Sequence, residues 1–206
     1  MSENVKCWRV AATRNRAEPL LGLGTAPAAV SEKVWQWGGD NMLPYALSLI
    51  ARNSVAHRRI INDKADYIAG KGVAYDEDVA VVKSLVNRAN GSGETLRSII
   101  SRLALDEAMF GNAFMEVVTD AQRSFLSFYH IDASTCRLAR DSEHVVMHND
   151  WSKFRSSEAT TLPLYPNFEE QSDGTLRAVV HYKDYEPMFS HYGVAPYVAG
   201  LNAAAI

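Results

Sequence analysis

At Gly111 the hydrophobic period of this chain changes, and that change limits the fold more than any other feature of the sequence. Upstream, Leu96, Ile99, Ile100, Leu103, Glu107 and Phe110 follow the three-and-four spacing of an amphipathic helix. Downstream, residues 113–119, 125–131, 135–139, 144–148, 162–164 and 176–182 are short β-rich runs separated by polar turns such as Ser172-Asp173-Gly174. Helices first and strands afterwards is the α+β pattern, here helices followed by an antiparallel meander, with an irregular N-terminal arm.

The helical base begins at Trp37. Leu43, Leu47 and Ile50 share one face, Pro44 is tolerated because it sits in a first turn, and Asn41 is the expected N-cap. Asn53-Ser54 interrupts, and Ser54 is placed to cap a second helix with the stripe Ile61, Ala65, Ile68. Gly70 ends it in the expected left-handed position beside Lys71. Residues 73–75 read as the start of a strand, and Asp76-Glu77-Asp78 as an acidic entrance to a short helix reaching about Ala89. Residues 1–36 show no sustained helical period and are broken by Pro19, Gly22, Gly24 and Pro27, so they read as an arm with at most a short strand around Trp8, Val10 and Ala12. The division expected is therefore an arm over 1–36, an α+β domain over 37–195, and the opening of a further helix over 196–206. That last segment is apolar and stops at Ile206 without a cap, the pattern expected of a piece of a longer protein.

Composition excludes several classes. With 206 residues, 47% of them hydrophobic and 22% charged, the chain can bury a core. A net charge of -3 provides no global basic field for nucleic acid. Cys7 and Cys136 share no redox or metal spacing, and the polar start MSENVKCWRV has no apolar signal core, so a soluble chain made in a reducing compartment is expected, with no membrane partner.

Catalytic motifs are weak. Gly70-Lys71-Gly72 lacks the upstream glycine and the strand of a phosphate loop and reads as a helix stop. His144 and His148 have a zinc spacing only on a helix, whereas Val145-Val146-Met147 between them indicates a strand. Asp106 and Glu107 point to different helix faces, Ser92 lies in a loop without a nucleophile elbow, and Cys136 has no assigned base. His57, Arg58, Arg59 and Lys64 form the densest basic cluster, offset by Asp63 and Asp66, and read as a solvated face or a subunit contact. No catalytic, metal-binding or cofactor-binding residue is assigned.

Several segments in order resemble the portal proteins of tailed bacteriophages and prophages. They are Gly39-Asp40-Asn41-x-x-Pro44, then Tyr67-Ile68-x-Gly70-Lys71-Gly72, then Asp106 ahead of Gly111-Asn112-Ala113-Phe114-Met115-Glu116-Val117. Tyr129-His130-Ile131-Asp132 up to Arg137 follows, and Tyr192-Gly193-Val194-x-Pro196-Tyr197-x-x-Gly200-Leu201 completes the set. The resemblance covers residues 37–201, and the order and spacing carry it. It implies a wing-type region of a non-enzymatic, ring-forming subunit, usually dodecameric, at one capsid vertex. The implied partners are further copies of the chain, the terminase, capsid or scaffold proteins and head–tail connector proteins. DNA passes through such a ring without sequence-specific binding. The implied location is the virion, with assembly in the host cytoplasm.

Two other readings follow from the residues alone. One is a small metal-dependent enzyme, such as a nuclease, using the acidic and histidine residues at Asp141, Glu143, His144, His148 and Asp150. The other is a binding domain with Trp35, Trp37 and Trp151 as partner anchors.

Overall fold

The computed structural model describes residues 28–187 and 189–204. The strand expected around Trp8, the breaks up to Pro27, Cys7 and Ile206 lie outside the described residues.

Five helices precede the first strand: α1 (Ala28–Lys33), α2 (Leu43–Asn53), α3 (Val55–Ala69), α4 (Ala80–Asn87) and α5 (Leu96–Phe110). The strands follow as β1 (Asn112–Thr119), β2 (Leu126–Ile131), β3 (Cys136–Leu138), β4 (His144–Met147), β5 (Thr160–Pro163), β6 (Glu169–Glu170) and β7 (Leu176–Lys183), and α6 (Val198–Ala204) ends the described chain. The α+β organisation is present. The strands divide between two antiparallel sheets, one ordered β2-β1-β7-β6 and one ordered β3-β4-β5. Only the second sheet runs in consecutive order. β1 takes a central place in the first because it is buried at both ends and on both faces, and β7 returns to pair with it along its whole length, from Asn112↔Lys183 to Thr119↔Leu176.

α3 and α5 form the helical layer. Ile61, Ala65 and Ala69 are the buried face of α3, whereas Ile68, expected in that stripe, is half-exposed. The C-terminal half of α5 buries Ala104, Asp106, Ala108, Met109 and Phe110, more than one stripe, because it is held between α3 on one side and β1 on the other. Gly111 then adopts φ 68 and ψ 14, and its N–H donates to Glu107 O at 2.7 Å. Ser54 caps α3 by accepting the His57 N–H, and Thr95 caps α5 by accepting the Ser98 N–H.

Four local expectations are corrected. Asn41 is not an N-cap: Met42 occupies that position without a side-chain bond, and Asn41 is turned inward with φ 67. Gly70 has a positive φ of 52 but a ψ of -138, outside the left-handed helical region. Residues 73–75 form no strand, since among the described residues no other strand lies alongside to pair with them. The acidic turn stands one step before α4, whose cap is Val79, and Asp76 instead accepts the Asp78 N–H.

The later part of the presumed arm is seated on the body. α1 leads to Val34, which bridges Ala139, while Trp35 N–H donates to Leu138 O and Arg140 N–H to Lys33 O. Val30 and Val34 pack with Ala139, Val146 and Trp151 in a small second core. The main core joins Trp37, Leu47, Ile61, Phe110, Phe114, Val145 and Tyr192.

Candidate functional site

Two buried junctions hold the helical layer to both sheets, and above them lies an exposed apolar and basic helical surface. The first junction is built on Arg137, which is 1% exposed. Its Nε donates to Asn41 Oδ1 at 2.7 Å and its Nη2 to Asn41 O at 2.7 Å, while Nη1 reaches Ser134 O and Cys136 O. The guanidinium carbon lies 5.5 Å from the Trp37 ring centre and 4.9 Å from that of Trp151. Among the described residues no carboxylate pairs with it; carbonyl dipoles and aromatic faces take that place. Burial lowers its pKa to about 10, so it remains a cation at neutral pH. The same Asn41 Oδ1 accepts the Trp37 N–H, which explains why Asn41 points inward: a charged donor outcompetes the helix cap.

The second junction joins the end of α5 to the segment after β7. Asn112 donates to Phe110 O and Gly193 O, both at 2.9 Å, and its Oδ1 accepts the Gly193 N–H. His181 Nε2 lies 3.0 Å from that oxygen and, because an amide oxygen only accepts, acts as a second donor that carries a proton on Nε2. Burial, followed by the nearby Lys183 charge, lowers the His181 pKa to about 3, and its ring stacks on Phe114 at 4.3 Å. Tyr192 ties the two junctions together: its hydroxyl donates to Trp35 O and accepts the Leu138 N–H, and its ring stacks on Trp37 at 4.5 Å. Tyr197 donates to Met109 O.

Of the positions singled out in the sequence, Asn41, Gly111, Asn112, Tyr192 and Gly193 therefore meet in one region, with buried Pro44 opening α2 nearby. Asp40 accepts the Met42 N–H beside them, and Gly39 is half-buried in the same turn. Gly70 and Gly72 lie at the far end of α3, where Gly72 packs against Arg97. Pro196 is exposed, and Gly200 lies in α6 facing open space. In the sequence Arg137 stands only as the end of the match that begins at Tyr129, without a role, since an arginine within the β-rich run 135–139 carries no local sign that it is buried.

The residues weighed for catalysis are brought together only in pairs. His144 bridges Asp141 at 2.8 Å and Glu169 at 3.0 Å, linking β4 to β6. His148 is buried against Trp151 and Phe154 and accepts the Asp150 N–H. Among the described residues no group of three or more His, Cys, Asp or Glu is placed to hold a metal ion. Asp106 accepts from His130 and from the Ala133 N–H, whereas Glu107 pairs with Lys64. Cys136 is fully buried, and burial pushes its thiol above the ordinary range. Trp37 and Trp151 are core residues around Arg137, which removes them as exposed anchors; Trp35 is half-buried under His191.

The Glu169 hydrogen bond first, opposed by burial and assisted by Asp141, raises the His144 pKa. A raised histidine pKa contributes stability that is complete below its unfolded value and is lost as pH rises through the folded value. Urea unfolding of His144→Gln against the parent is expected to show a small deficit at about pH 5 that fades by about pH 9. Exposure of both carboxylates keeps the effect small and salt-sensitive.

The outer surface of the helical layer carries Val55 (89% exposed), Ile60 (66%) and Tyr67 (90%) on α3, together with Tyr45 of α2 and Val81 of α4. A shallow cleft of about 530 Å³ between α2 and α3 is lined by Ala51, Arg52, Val55, Arg58, Arg59 and Asn62. None of the described helices is long and apolar enough to cross a membrane.

No family model and no curated protein matches this sequence. Solved structures do. A chain in the neck of an empty gene transfer agent (GTA) particle, computed with C6 symmetry, is 15% identical, with a TM-score of 0.55 over 79% of this chain and 42% of that one. A chain in the virion of the native gene transfer agent particle gives 15% identity and a TM-score of 0.56, covering 88% and 43%. A chain in the neck of the native particle, computed with C12 symmetry, gives 16% and 0.56, covering 88% and 44%. The fold is shared with chains of these particles. The protein spans 42–44% of the length of the chains it matches.

Proposed function

We propose that this chain is the wing-type region of a portal subunit, a structural component of a tailed-phage-type particle. The observation that carries the reading is the shared fold over most of the chain with components of a particle neck, in addition to the ordered motifs from Gly39 to Gly200. Those necks were computed with C6 and C12 symmetry, which supports a ring of identical subunits, twelve in the portal reading. The two locked junctions suit a part that transmits load between helices and sheets, and the exposed helical surface suits contacts with neighbouring copies.

On this reading residues 37–195 form the wing-type domain, 1–36 an arm and 196–206 the opening of a further helix. The ring sits in the virion at one capsid vertex after assembly in the host cytoplasm. It docks the terminase, capsid or scaffold proteins and the head–tail connector, and DNA passes through it without sequence-specific contacts. The chain itself catalyses nothing; packaging chemistry belongs to the terminase.

Sedimentation velocity of the protein expressed whole from its own gene tests the proposal. A closed oligomer of ring size is expected, and a strict monomer at all concentrations would overturn it.

A further inference from the structure

The two ends of α3 carry opposite charge. At its N-terminal end the cleft with α2 presents Arg52, Arg58 and Arg59 around Val55. Arg52 and Arg58 form no ion pair among the described residues, and Arg59 holds only Asp63, an exposed pair one helical turn away. Beyond the C-terminal end, Asp76, Glu77 and Asp78 form an exposed turn, followed by Val79 and Val81 of α4, which are 44% and 80% exposed. Glu77 reaches Lys83 only at 3.9 Å. Each end thus combines three like charges with exposed valine. The 15 residues of α3 span about 22 Å, and among the described residues no ion pair joins Arg52, Arg58 or Arg59 to Asp76, Glu77 or Asp78, so the two surfaces do not satisfy each other within one molecule.

A ring of more than two identical subunits needs two different, mutually complementary faces, because a self-complementary patch closes at a dimer. We infer that the α2–α3 arginine cleft receives the Asp76–Asp78 turn of a second copy of this chain, with Val79 and Val81 meeting Val55 at the centre of the contact. This contact rests on the ring reading above and names its head-to-tail surfaces. Charge complementarity selects this occupant. A nucleic-acid backbone fits the cleft less well, because Asp63 and Asp66 interrupt the basic surface along the same helix and the whole chain carries a net charge of -3. Exposed charges at the rim would steer the subunits into register, and the valines would supply the desolvated centre.

The test is a charge swap in the whole protein, read by sedimentation velocity at low and high salt. Arg58→Glu/Arg59→Glu and Asp76→Lys/Asp78→Lys are each expected to weaken association by about ten-fold or more. Their equimolar mixture is expected to assemble again, since every contact then pairs opposite charges. Added salt should weaken the parent assembly and the rescued mixture alike. The neutral pair Arg58→Gln/Arg59→Gln, at the same positions, should fall between the parent and the reversed variant.

A parent ring left intact by both reversals would overturn this contact and leave the ring reading standing. Loss of assembly without rescue in the mixture would do the same. Normal assembly of Arg58→Glu/Arg59→Glu with lost binding of duplex DNA would assign the cleft to nucleic acid instead. A monomeric parent would overturn the ring reading and this contact with it.

Discussion

Replacing Arg137 by alanine is expected to cost about 3–5 kcal/mol, a large share of the roughly 5–15 kcal/mol that holds a domain of this kind together. The deletion leaves Asn41 O and Ser134 O as acceptors without a donor, reduces Asn41 Oδ1 to the Trp37 N–H alone, and opens a space between Trp37 and Trp151. Each orphaned acceptor costs about 1–3 kcal/mol, and the cavity adds to that because two stacked ring systems cannot close on each other freely. Lysine should rescue little, since a compact ammonium cannot reproduce a planar fork that reaches both atoms of Asn41. Methionine keeps the stem and removes the cation. Equilibrium urea unfolding followed by tryptophan fluorescence measures all three, and the order expected is parent, then methionine or lysine, then alanine. A methionine variant as stable as the parent would show that Arg137 contributes packing and nothing more.

The second large effect is expected at Gly193. A Cβ there would stand 2.2 Å from Gly111 O and 2.8 Å from both Asp184 N and Asp184 O. All three are backbone atoms on segments held by hydrogen bonds, Asp184 N–H to Gly111 O among them, so nothing flexible can give way. Gly193→Ala should therefore part the end of α5 from the exit of β7, break the Asn112 contacts and cost about 3 kcal/mol or more. Gly111→Ala should be comparable, because its Cβ would meet Val194 C at 2.6 Å from a left-handed backbone. As the two glycines touch each other, the double variant should lose less than the sum of the single losses. Gly200→Ala, with nothing within 4 Å inside α6, serves as the control and should be neutral or slightly stabilising. Thermal unfolding by circular dichroism distinguishes these outcomes.

These two junctions mark the boundary of what was legible beforehand. The step at Gly111, the strand runs and the Ser54 cap depend on residues within a few positions of one another, so periodicity and turn chemistry reveal them. Asn41 looked like a cap for the same local reason. Its actual partner lies 96 positions away, and no local signal announces that a strand arginine will turn inward. The division into two sheets was hidden similarly, because β7 pairs not only with its neighbour β6 but also with the distant β1, which is buried on both faces. α1 is a short helix, and it is held in place by contacts of Val30 and Val34 with Ala139, Val146 and Trp151 far along the chain. For the candidate surface, the basic cluster at Arg58 and Arg59 was visible as charge. That it lines a cleft with α2, at the end of α3 opposite the one that leads to the acidic turn, follows only from the fold.

The central claim is that this chain belongs to a ring-forming structural subunit of a phage-type particle. Electron microscopy of the protein expressed whole from its own gene tests it most directly. Annular projections with a central channel and a rotational symmetry consistent with about twelve subunits are the expected result. Discrete monomers, or a closed two-fold dimer, would contradict it.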